Sequence, residues 1–336
     1  MWCFGVPDER VGASTSGRRA GPPQARPAPS GGSELHAVKS VGAPLATRAG
    51  VGPSCVGLPA GPWRTITDFL VEHFPAVSRV TWLTRMGSGQ VADEFGVAVT
   101  PERAYQGHMR VYYYRDVPDE PVIPFEATVV FQDGHLVVAD KPHFLPVTPS
   151  GNYLQQTLLV RLKNALGIDT LIPIHRIDRE TAGLVMFSVE PAERDAYQAL
   201  FRNHDVEKHY EAIAPWLPGH GFPIVRKSRI VQDEPFFRQC EVVGAPNSET
   251  RMDVIEKLGD LARYALNPVT GKKHQLRVHM NALGVPILND RMYPPVSPTP
   301  GDDYSLPLQL LAKSIAFTDP LTGQARRFES GFKLQH

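Results

Sequence analysis

The sequence has little cysteine, no net charge and no long apolar segment. Its three cysteines, Cys3, Cys55 and Cys240, are far apart and form no CxxC pair, which argues against a thiolate zinc site and a disulfide framework. No apolar run approaches the roughly 18 residues that a membrane span needs, and the N-terminus lacks the apolar core of a signal peptide. These absences predict a protein of the reducing cytoplasm with no membrane segment.

Charge is balanced, with 35 Lys and Arg against 35 Asp and Glu. A neutral chain is not expected to coat nucleic acid indiscriminately, although a local basic groove remains compatible with this total. At 336 residues and 42% hydrophobic content, the chain is long enough for two soluble domains with a substantial core. Residues 1–62 are rich in Gly, Pro, Ala, Ser and Arg, a composition that predicts a disordered tail.

Two further regions follow the tail. Residues 63–117 predict a small α/β module, with helices over 65–74 and 79–86 and short strands at 89–91, 96–99 and 107–114. Residues 118–336 begin with a proline-containing linker and continue with several strands that have no helix between them. Consecutive strands of this kind favour an α+β fold with a mixed, mostly antiparallel sheet and flanking helices over a doubly wound fold.

Local signals place several elements of this larger region. Asp133-Gly134 lies between two β-rich runs, 127–131 and 135–139, and predicts a hairpin. Leucines recur at helical spacing from Leu154 to Leu166 and are followed by Gly167, which is suited to end a helix. The run 184–187 is short and apolar, as in a strand buried within a sheet.

A charged turn precedes that apolar strand directly. In the stretch 175–188, Asp178 lies between Arg176 and Arg179, and nearby positive charge favours an ionised carboxylate. Such a carboxylate can attack carbon or accept a proton. Mixed-charge turns are more often merely solvated, so this pattern alone leaves both interpretations open.

Three stretches together resemble one enzyme family. His-Arg-Ile-Asp-Arg-Glu-Thr-Ala-Gly-Leu, residues 175–184, resembles the H-R-L-D-x-x-T-S-G-L signature of RluA-type pseudouridine synthases. Residues 208–212 resemble the family's K-x-Y-x-A element, and residues 270–280 resemble T-G-R-x-H-Q-I-R-x-H-L, with Lys272 in place of Arg. The Asp-Lys-Pro loop at 140–142 also resembles the family, and its proline suggests an architectural role.

The resemblance implies the pseudouridine synthase fold over 118–336 and an RNA-modifying isomerase that needs no cofactor. By the same resemblance, Asp178, Tyr210 and Arg277 are the catalytic residues: Asp178 acts on the nucleoside, Tyr210 stacks on uracil, and Arg277 pairs with Asp178. The substrate-binding residues are Arg176, Leu276, Lys272 and His175. The module at 63–117 resembles an S4 RNA-binding domain. The expected partner is rRNA or tRNA, bound by a monomer.

Several alternatives accompany this reading. A non-catalytic RNA-binding protein on the same fold is one, and an N-glycoside hydrolase using Asp178 with Glu180 is another, although hydrolases use opposed carboxylates. His274 and His279 have the spacing of possible metal ligands. Without an HExxH pattern or a nearby thiolate, we expect them instead to be packed and hydrogen-bonded, with no metal site.

Overall fold

The computed structural model describes residues 44–117, 119–234, 237–294 and 303–335. These form two compact units, a smaller one that ends at Arg115 and a larger one from Asp116 onward, to which Ala49–Val51 also belong. Most of the predicted disordered tail, residues 1–43, lies outside the described residues. No helix of the described ranges is both long and apolar enough to cross a bilayer.

The smaller unit packs two helices on a three-stranded antiparallel sheet of order β1-β3-β2. Its elements are β1 (Ser54–Gly57), α1 (Ile66–His73), α2 (Arg79–Gly87), β2 (Val91–Asp93) and β3 (Arg110–Tyr113). Thr65 begins α1 as a capping box with Asp68, which satisfies amide groups at the helix N-terminus. The core includes Trp82 of α2, which is fully buried.

Two details of this unit differ from the sequence prediction. The boundary at residue 62 is too late, because β1 precedes it, pairs with β3 and buries Val56. The predicted strand at 96–99 is wrong, since this segment makes only one isolated bridge, from Ala98 to Ala92. There the carboxylate of Asp93 accepts hydrogen bonds from the backbone amides of Phe95 and Val97, so a side chain takes donors that a strand would use.

The larger unit is an 11-stranded sheet with helices packed on it. Its strands are β4 (Thr128–Gln132), β5 (Leu136–Lys141), β6 (Ile172–Pro173), β7 (Ala182–Ser188), β8 (Val206–Pro215), β9 (Ile224–Gln232), β10 (Gln239–Val242), β11 (Ser248–Leu258), β12 (Leu261–Pro268), β13 (Leu310–Thr318) and β14 (Ala325–Glu329). The helices are α3 (Leu158–Leu166), α4 (Arg194–Arg202) and α5 (Gln275–Ala282).

The strand order is β10-β9-β11-β12-β8-β13-β7-β5-β4, with β14 beside β13 and β6 beside β7. Only β13 and β7 pair in parallel among the described strands, so the predicted mixed, mostly antiparallel sheet is confirmed. The Asp133-Gly134 hairpin joins β4 to β5, and Gly167 ends α3 in the left-handed conformation. Both predictions are therefore confirmed as well.

Polar contacts hold α5 against the sheet. The amide of Gln275 donates to the Glu249 carbonyl and the Thr250 hydroxyl, both at 2.9 Å. His279 is fully buried, with Nδ1 2.9 Å from the Thr250 hydroxyl and Nε2 3.0 Å from that of Ser248. Because two side chains one turn apart on α5 bond to β11, the position of the helix on the sheet is well defined.

His175 packs behind β7. Its Nε2 accepts a hydrogen bond from the Met186 amide at 3.1 Å, and its ring stacks on Phe201 of α4 at 4.7 Å between centroids. Burial lowers the pKa of His175 to about 3. That His175 binds substrate stays a prediction; in this structure its acceptor nitrogen and one ring face already contact the fold.

Gly183 lies where the charged turn enters the sheet. It pairs in parallel with Ala312 of β13, and its backbone has φ +111°. A Cβ atom at this position would lie 2.3 Å from the Ala312 carbonyl oxygen, well inside van der Waals contact. Only glycine therefore allows β7 and β13 to approach this closely.

We predict that Gly183→Ala lowers the free energy of unfolding by about 3 kcal/mol, because it combines backbone strain with a clash between main chains. Gly134→Ala is the matched control, since a Cβ atom there meets nothing within 4 Å; its effect should be about 0.5 kcal/mol or less. Urea denaturation of both variants tests this. Equal stabilities would contradict the account of the β7–β13 junction.

Buried histidines also predict a pH dependence of stability. Burial lowers the pKa of His279 to about 4 and that of His175 to about 3, whereas the unfolded chain binds protons at about 6.5. The contribution of these two neutral histidines to the free energy of unfolding is fully present above pH 6.5. It is lost as the pH falls toward 4, because the unfolded state takes up the protons first. The expected slope is about 1.4 kcal/mol per pH unit for each group.

Urea denaturation at pH 7 and pH 5 measures this slope. His279→Gln should remove the part of the pH dependence that comes from His279. A free energy of unfolding that stays constant over this interval would contradict the prediction.

Candidate active site

The turn that carries Asp178 is anchored by the loop after β5. Lys141 is fully buried, and its Nζ donates to the carbonyl oxygens of Arg179 at 3.0 Å and Pro142 at 2.9 Å. His143 Nδ1 lies 2.6 Å from the Glu180 carbonyl oxygen. The Asp-Lys-Pro loop therefore has the architectural role expected of it, and it holds the backbone immediately after Asp178.

Arg179 does not act as a charge partner of Asp178. Its Nε donates to the Phe144 carbonyl at 3.0 Å, and its Nη2 donates to the Tyr153 hydroxyl at 2.9 Å. The sequence argument that both flanking arginines stabilise the carboxylate is thus wrong for Arg179, because adjacent residues in a turn point in different directions.

The nearest cation to Asp178 comes from α5. Arg277 Nη1 donates to Asp178 Oδ2 at 3.2 Å. The other edge of the guanidinium donates two hydrogen bonds to Asp290, from Nε at 2.8 Å and from Nη2 at 2.7 Å. The side chains of Arg277 and Asp290 are 1% and 0% exposed, whereas that of Asp178 is 25% exposed. Asp178 is therefore the member of this network that solvent can reach.

The surroundings of Asp178 keep it ionised. Burial by itself would raise the pKa of the carboxyl, but His274, Arg277 and Arg176 oppose this, and the net pKa is lowered. His274 lies 3.7 Å from Asp178 Oδ1 through its Nε2, yet burial lowers the pKa of His274 to about 4. Since His274 is then neutral at pH 7, the charge that stabilises the carboxylate comes chiefly from Arg277.

Tyr210 and Leu276 supply apolar surface in this region. Tyr210 lies on β8, is partly buried, and packs against the clusters that contain Ala312 and Leu276. Burial and the charge of Asp178 both raise the pKa of Tyr210, so its phenol keeps its proton at neutral pH. Leu276 of α5 is 7% exposed. The structure thus brings Asp178 and Arg277 into contact and places Tyr210 within the electrostatic reach of Asp178.

The remaining predicted residues differ in exposure. Arg176 and Lys272 are exposed, and neither side chain makes a hydrogen bond or an ion pair within the described residues, whereas His175 packs inside the fold as described above. The neighbouring Lys273 is also exposed, and Asp178 acts on its pKa. Arg176 and Lys273 are therefore exposed cationic side chains within electrostatic range of Asp178, and Lys272 adjoins Lys273 in the sequence.

Sequence reasoning missed three polar residues of the site, Asp290, His274 and Tyr293. The hydroxyl of Tyr293 lies 2.8 Å from His274 Nδ1, and its ring lies 5.4 Å from the Arg277 guanidinium carbon. The resemblance to the family continues beyond residue 280 through Asp290 and Tyr293, and this spacing is the sequence signal that points to both residues. For His274 the sequence predicts only a packed, hydrogen-bonded side chain and no role beside Asp178.

The described residues contain no cluster of three or more side chains able to hold a metal ion. The expectation that His274 and His279 are packed and hydrogen-bonded is confirmed by their bonds to Tyr293 and Thr250. What the site offers is an ionised, partly exposed carboxylate beside a buried guanidinium, an aromatic ring and exposed basic side chains.

Comparison with known proteins agrees with this arrangement. A family model described as RNA pseudouridylate synthase matches residues 135–282. The Haemophilus influenzae protein named dual-specificity RNA pseudouridine synthase RluA is 33% identical over 214 residues, which cover 62% of this chain and 94% of that protein. The yeast protein named mitochondrial tRNA pseudouridine(32) synthase is 30% identical over 179 residues, covering 52% of this chain and 38% of that one.

The fold is also similar to a solved structure. The human protein titled RNA Pseudouridylate Synthase Domain Containing 1 aligns with a TM-score of 0.51 and 22% identity, over 63% of this chain and 86% of that one. The fold, the matched motifs and the length of the alignment to the Haemophilus influenzae protein lead to one conclusion. The chain belongs to the RluA-type family of RNA pseudouridine synthases, isomerases that convert uridine in RNA to pseudouridine.

Proposed function

We propose that Asp178 is the catalytic carboxylate of this RNA pseudouridine synthase. The observation that carries the proposal is the exposed end of the Arg277 network: Asp290 occupies two donors of the guanidinium, and Asp178 receives one longer hydrogen bond. A carboxylate held by a single 3.2 Å bond is fixed in direction but keeps lone pairs for reaction. Arg277 thus aims Asp178 without fully neutralising it.

The reaction breaks the bond between ribose C1′ and uracil N1, turns the base, and joins C1′ to C5. No electrons are gained or lost, so the reaction requires no redox cofactor. In this proposal Asp178 acts on the nucleoside as nucleophile or base, either by adding to the base or by acting at the sugar. Tyr210 stacks on the uracil, and Leu276 forms the apolar wall beside it.

RNA must open to bring its uridine to Asp178. The target is flipped out of the stack, at a free energy of a few kcal/mol. Arg176 is exposed and has no hydrogen-bonding partner in the described fold, so its planar guanidinium is available to fill the gap and to bond neighbouring bases. Lys272 is also exposed and contacts phosphate; compared with the family's arginine, it keeps the charge and loses the planar fork.

The substrate we propose is structured rRNA or tRNA. The names of the relatives support this class, since one is called dual-specific and the other a tRNA pseudouridine(32) synthase. Mapping pseudouridine in both RNA classes, with and without the gene, tests it. Loss of a single tRNA or rRNA site identifies the target, and an unchanged map would contradict the assignment.

Three further expectations remain proposals. The first is that the smaller unit, predicted as residues 63–117 and containing β1 as well, is an S4-like module that binds RNA, and that 118–336 form the catalytic domain. The second is that the protein acts as a monomer. The third is that it resides in the cytoplasm; cell fractionation tests this directly, and the mitochondrial name of the yeast relative makes that compartment the relevant comparison.

Isomerisation is favoured over N-glycoside hydrolysis by the position of Glu180. Asp178 and Glu180 both approach the same nitrogen, Arg277 Nη1, at 3.2 Å and 4.0 Å. Two carboxylates on one side of a guanidinium cannot flank a glycosidic bond from opposite faces, as hydrolases require.

We predict that Asp178→Asn lowers turnover by about 10³-fold or more, because the amide can neither attack nor accept a proton. RNA affinity should stay within about twofold, since the side-chain volume is nearly unchanged. Release of tritium from RNA labelled at uridine C5 measures turnover, and filter binding measures affinity. Glu180→Gln, the matched change on the same turn, should retain most turnover. Substantial activity in Asp178→Asn would refute its role, and free uracil as product would favour hydrolysis.

We also predict that Arg176→Ala lowers kcat/KM by about 10- to 100-fold, equivalent to the loss of a few kcal/mol that offsets unstacking. A fluorescent base analogue beside the target uridine should brighten less with this variant than with the wild type. Arg202→Ala removes an exposed arginine of α4 and is the control. Equal fluorescence for all three proteins would argue against insertion of Arg176.

A further inference from the structure

Two hydrogen bonds connect β10 with His274, whose other ring nitrogen faces the catalytic carboxylate. The backbone amide of Gln239 donates to the Tyr293 hydroxyl oxygen at 2.8 Å. That oxygen lies 2.8 Å from His274 Nδ1, and the other ring nitrogen, Nε2, lies 3.7 Å from Asp178 Oδ1. His274 occupies the N-cap position of α5 but makes no side-chain cap hydrogen bond, so its ring serves these contacts instead.

The backbone amide of Gln239 determines the donor and acceptor in each of these hydrogen bonds. A backbone amide can only donate, so the Tyr293 oxygen accepts there and its own hydrogen is available for His274. Burial lowers the pKa of His274 to about 4, so the ring is neutral at pH 7 and carries one N–H. If Nδ1 accepts from Tyr293, that N–H is on Nε2. The opposite tautomer would turn the Nε2 lone pair toward the Asp178 carboxylate and leave the tyrosine hydrogen without an acceptor among the described residues.

We propose that His274 is a positioning residue for Asp178, held by Tyr293 in the tautomer whose Nε2–H points at Asp178 Oδ1. This inference rests on the proposed role of Asp178. Arg277 bonds one oxygen of the carboxylate, and His274 faces the other, so the two together fix its plane. The 3.7 Å separation shortens to a hydrogen bond when RNA fills the site, as catalytic contacts often tighten in the substrate complex.

Other charged groups surround His274 and Asp178, and the substitution used as a test should leave them unchanged. Arg277 and Lys273 are the cations acting on His274, and Asp178 and Asp290 are the anions. Arg176, Lys141 and Glu180 also lie within electrostatic range of Asp178 or of its partners. A variant that removes only the tyrosine hydroxyl alters none of these groups.

Tyr293→Phe tests whether Tyr293 positions His274 toward Asp178, and Tyr264→Phe is the matched control. Both tyrosines are buried, and both hydroxyls accept from a backbone amide and have an acceptor of their own. That acceptor is His274 Nδ1 for Tyr293 and the Pro215 carbonyl for Tyr264. The two substitutions therefore delete the same chemistry at comparable cost to the fold, and only one of them is connected to Asp178.

The expected result is a fall of about tenfold in the single-turnover rate constant of Tyr293→Phe, with KM unchanged within about twofold. The acidic limb of its pH–rate profile should move to higher pH, because an ionised Asp178 loses a donor. Tyr264→Phe should keep the wild-type rate and profile. Wild-type rate and profile in both variants would overturn the proposal, as would equal losses in both.

Substitution of His274 itself gives a second readout. The amide of Gln reaches about as far as Nε2, whereas that of Asn reaches only as far as Nδ1. His274→Gln should therefore retain more of the single-turnover rate than His274→Asn. The left-handed backbone at this position, φ +56°, favours Asn over Gln on stability alone. A higher rate for His274→Asn would therefore indicate a purely structural role for His274 and would overturn the proposal.

The tautomer can be observed without any turnover. Long-range ¹H–¹⁵N spectra of the whole protein labelled at its histidine rings should show the proton of His274 on Nε2 in the wild type. His274→Asn assigns the signal, and Tyr293→Phe should allow the proton on Nδ1. A wild-type proton on Nδ1 would overturn the inference even if Asp178 proves catalytic. Failure of Asp178→Asn to reduce turnover would instead refute the proposed function while leaving the tautomer unchanged.

Discussion

The ion pair between Arg277 and Asp290 is the interaction on which the rest of the site depends. Both side chains are buried, and a buried guanidinium is tolerated only when hydrogen bonds replace its lost water. Asp290 supplies two of them and is itself oriented by the backbone amides of Met292 and Tyr293. Because Asp290 holds the Nε and Nη2 edge of the guanidinium, the Nη1 nitrogen of Arg277 is left to face Asp178.

The fold delivers this geometry through two independent anchors. One is the buried Lys141, which bonds the backbone beside Asp178 and so connects the turn to β5. The other is α5, whose Gln275 and His279 bond to β11 and so set the height of Arg277 above the sheet. An error of about 1 Å in either anchor would break the contact between Asp178 and Arg277, since hydrogen bonds weaken steeply beyond their normal length.

Sequence reasoning predicted the sheet class and the main elements because these follow from local signals. The hairpin at Asp133-Gly134 and the end of α3 at Gly167 each depend on backbone preferences of a few residues. The direction of a side chain in a turn has no such local determinant. Arg176 and Arg179 have the same chemistry and are three residues apart, yet one is exposed and the other bonds the Phe144 carbonyl. Only the tertiary partners decide between these outcomes.

The histidines of the motifs make the same point about function. His175 adjoins Arg176 in the signature stretch, but its Nε2 accepts from the backbone of β7 and its ring lies against Phe201. His274 lies 99 residues away from it in the chain and yet faces Asp178. Both are held neutral by burial, so neither adds charge to the site. What distinguishes them is which nitrogen keeps the proton, and that is set by the Met186 amide in one case and by the Tyr293 hydroxyl in the other.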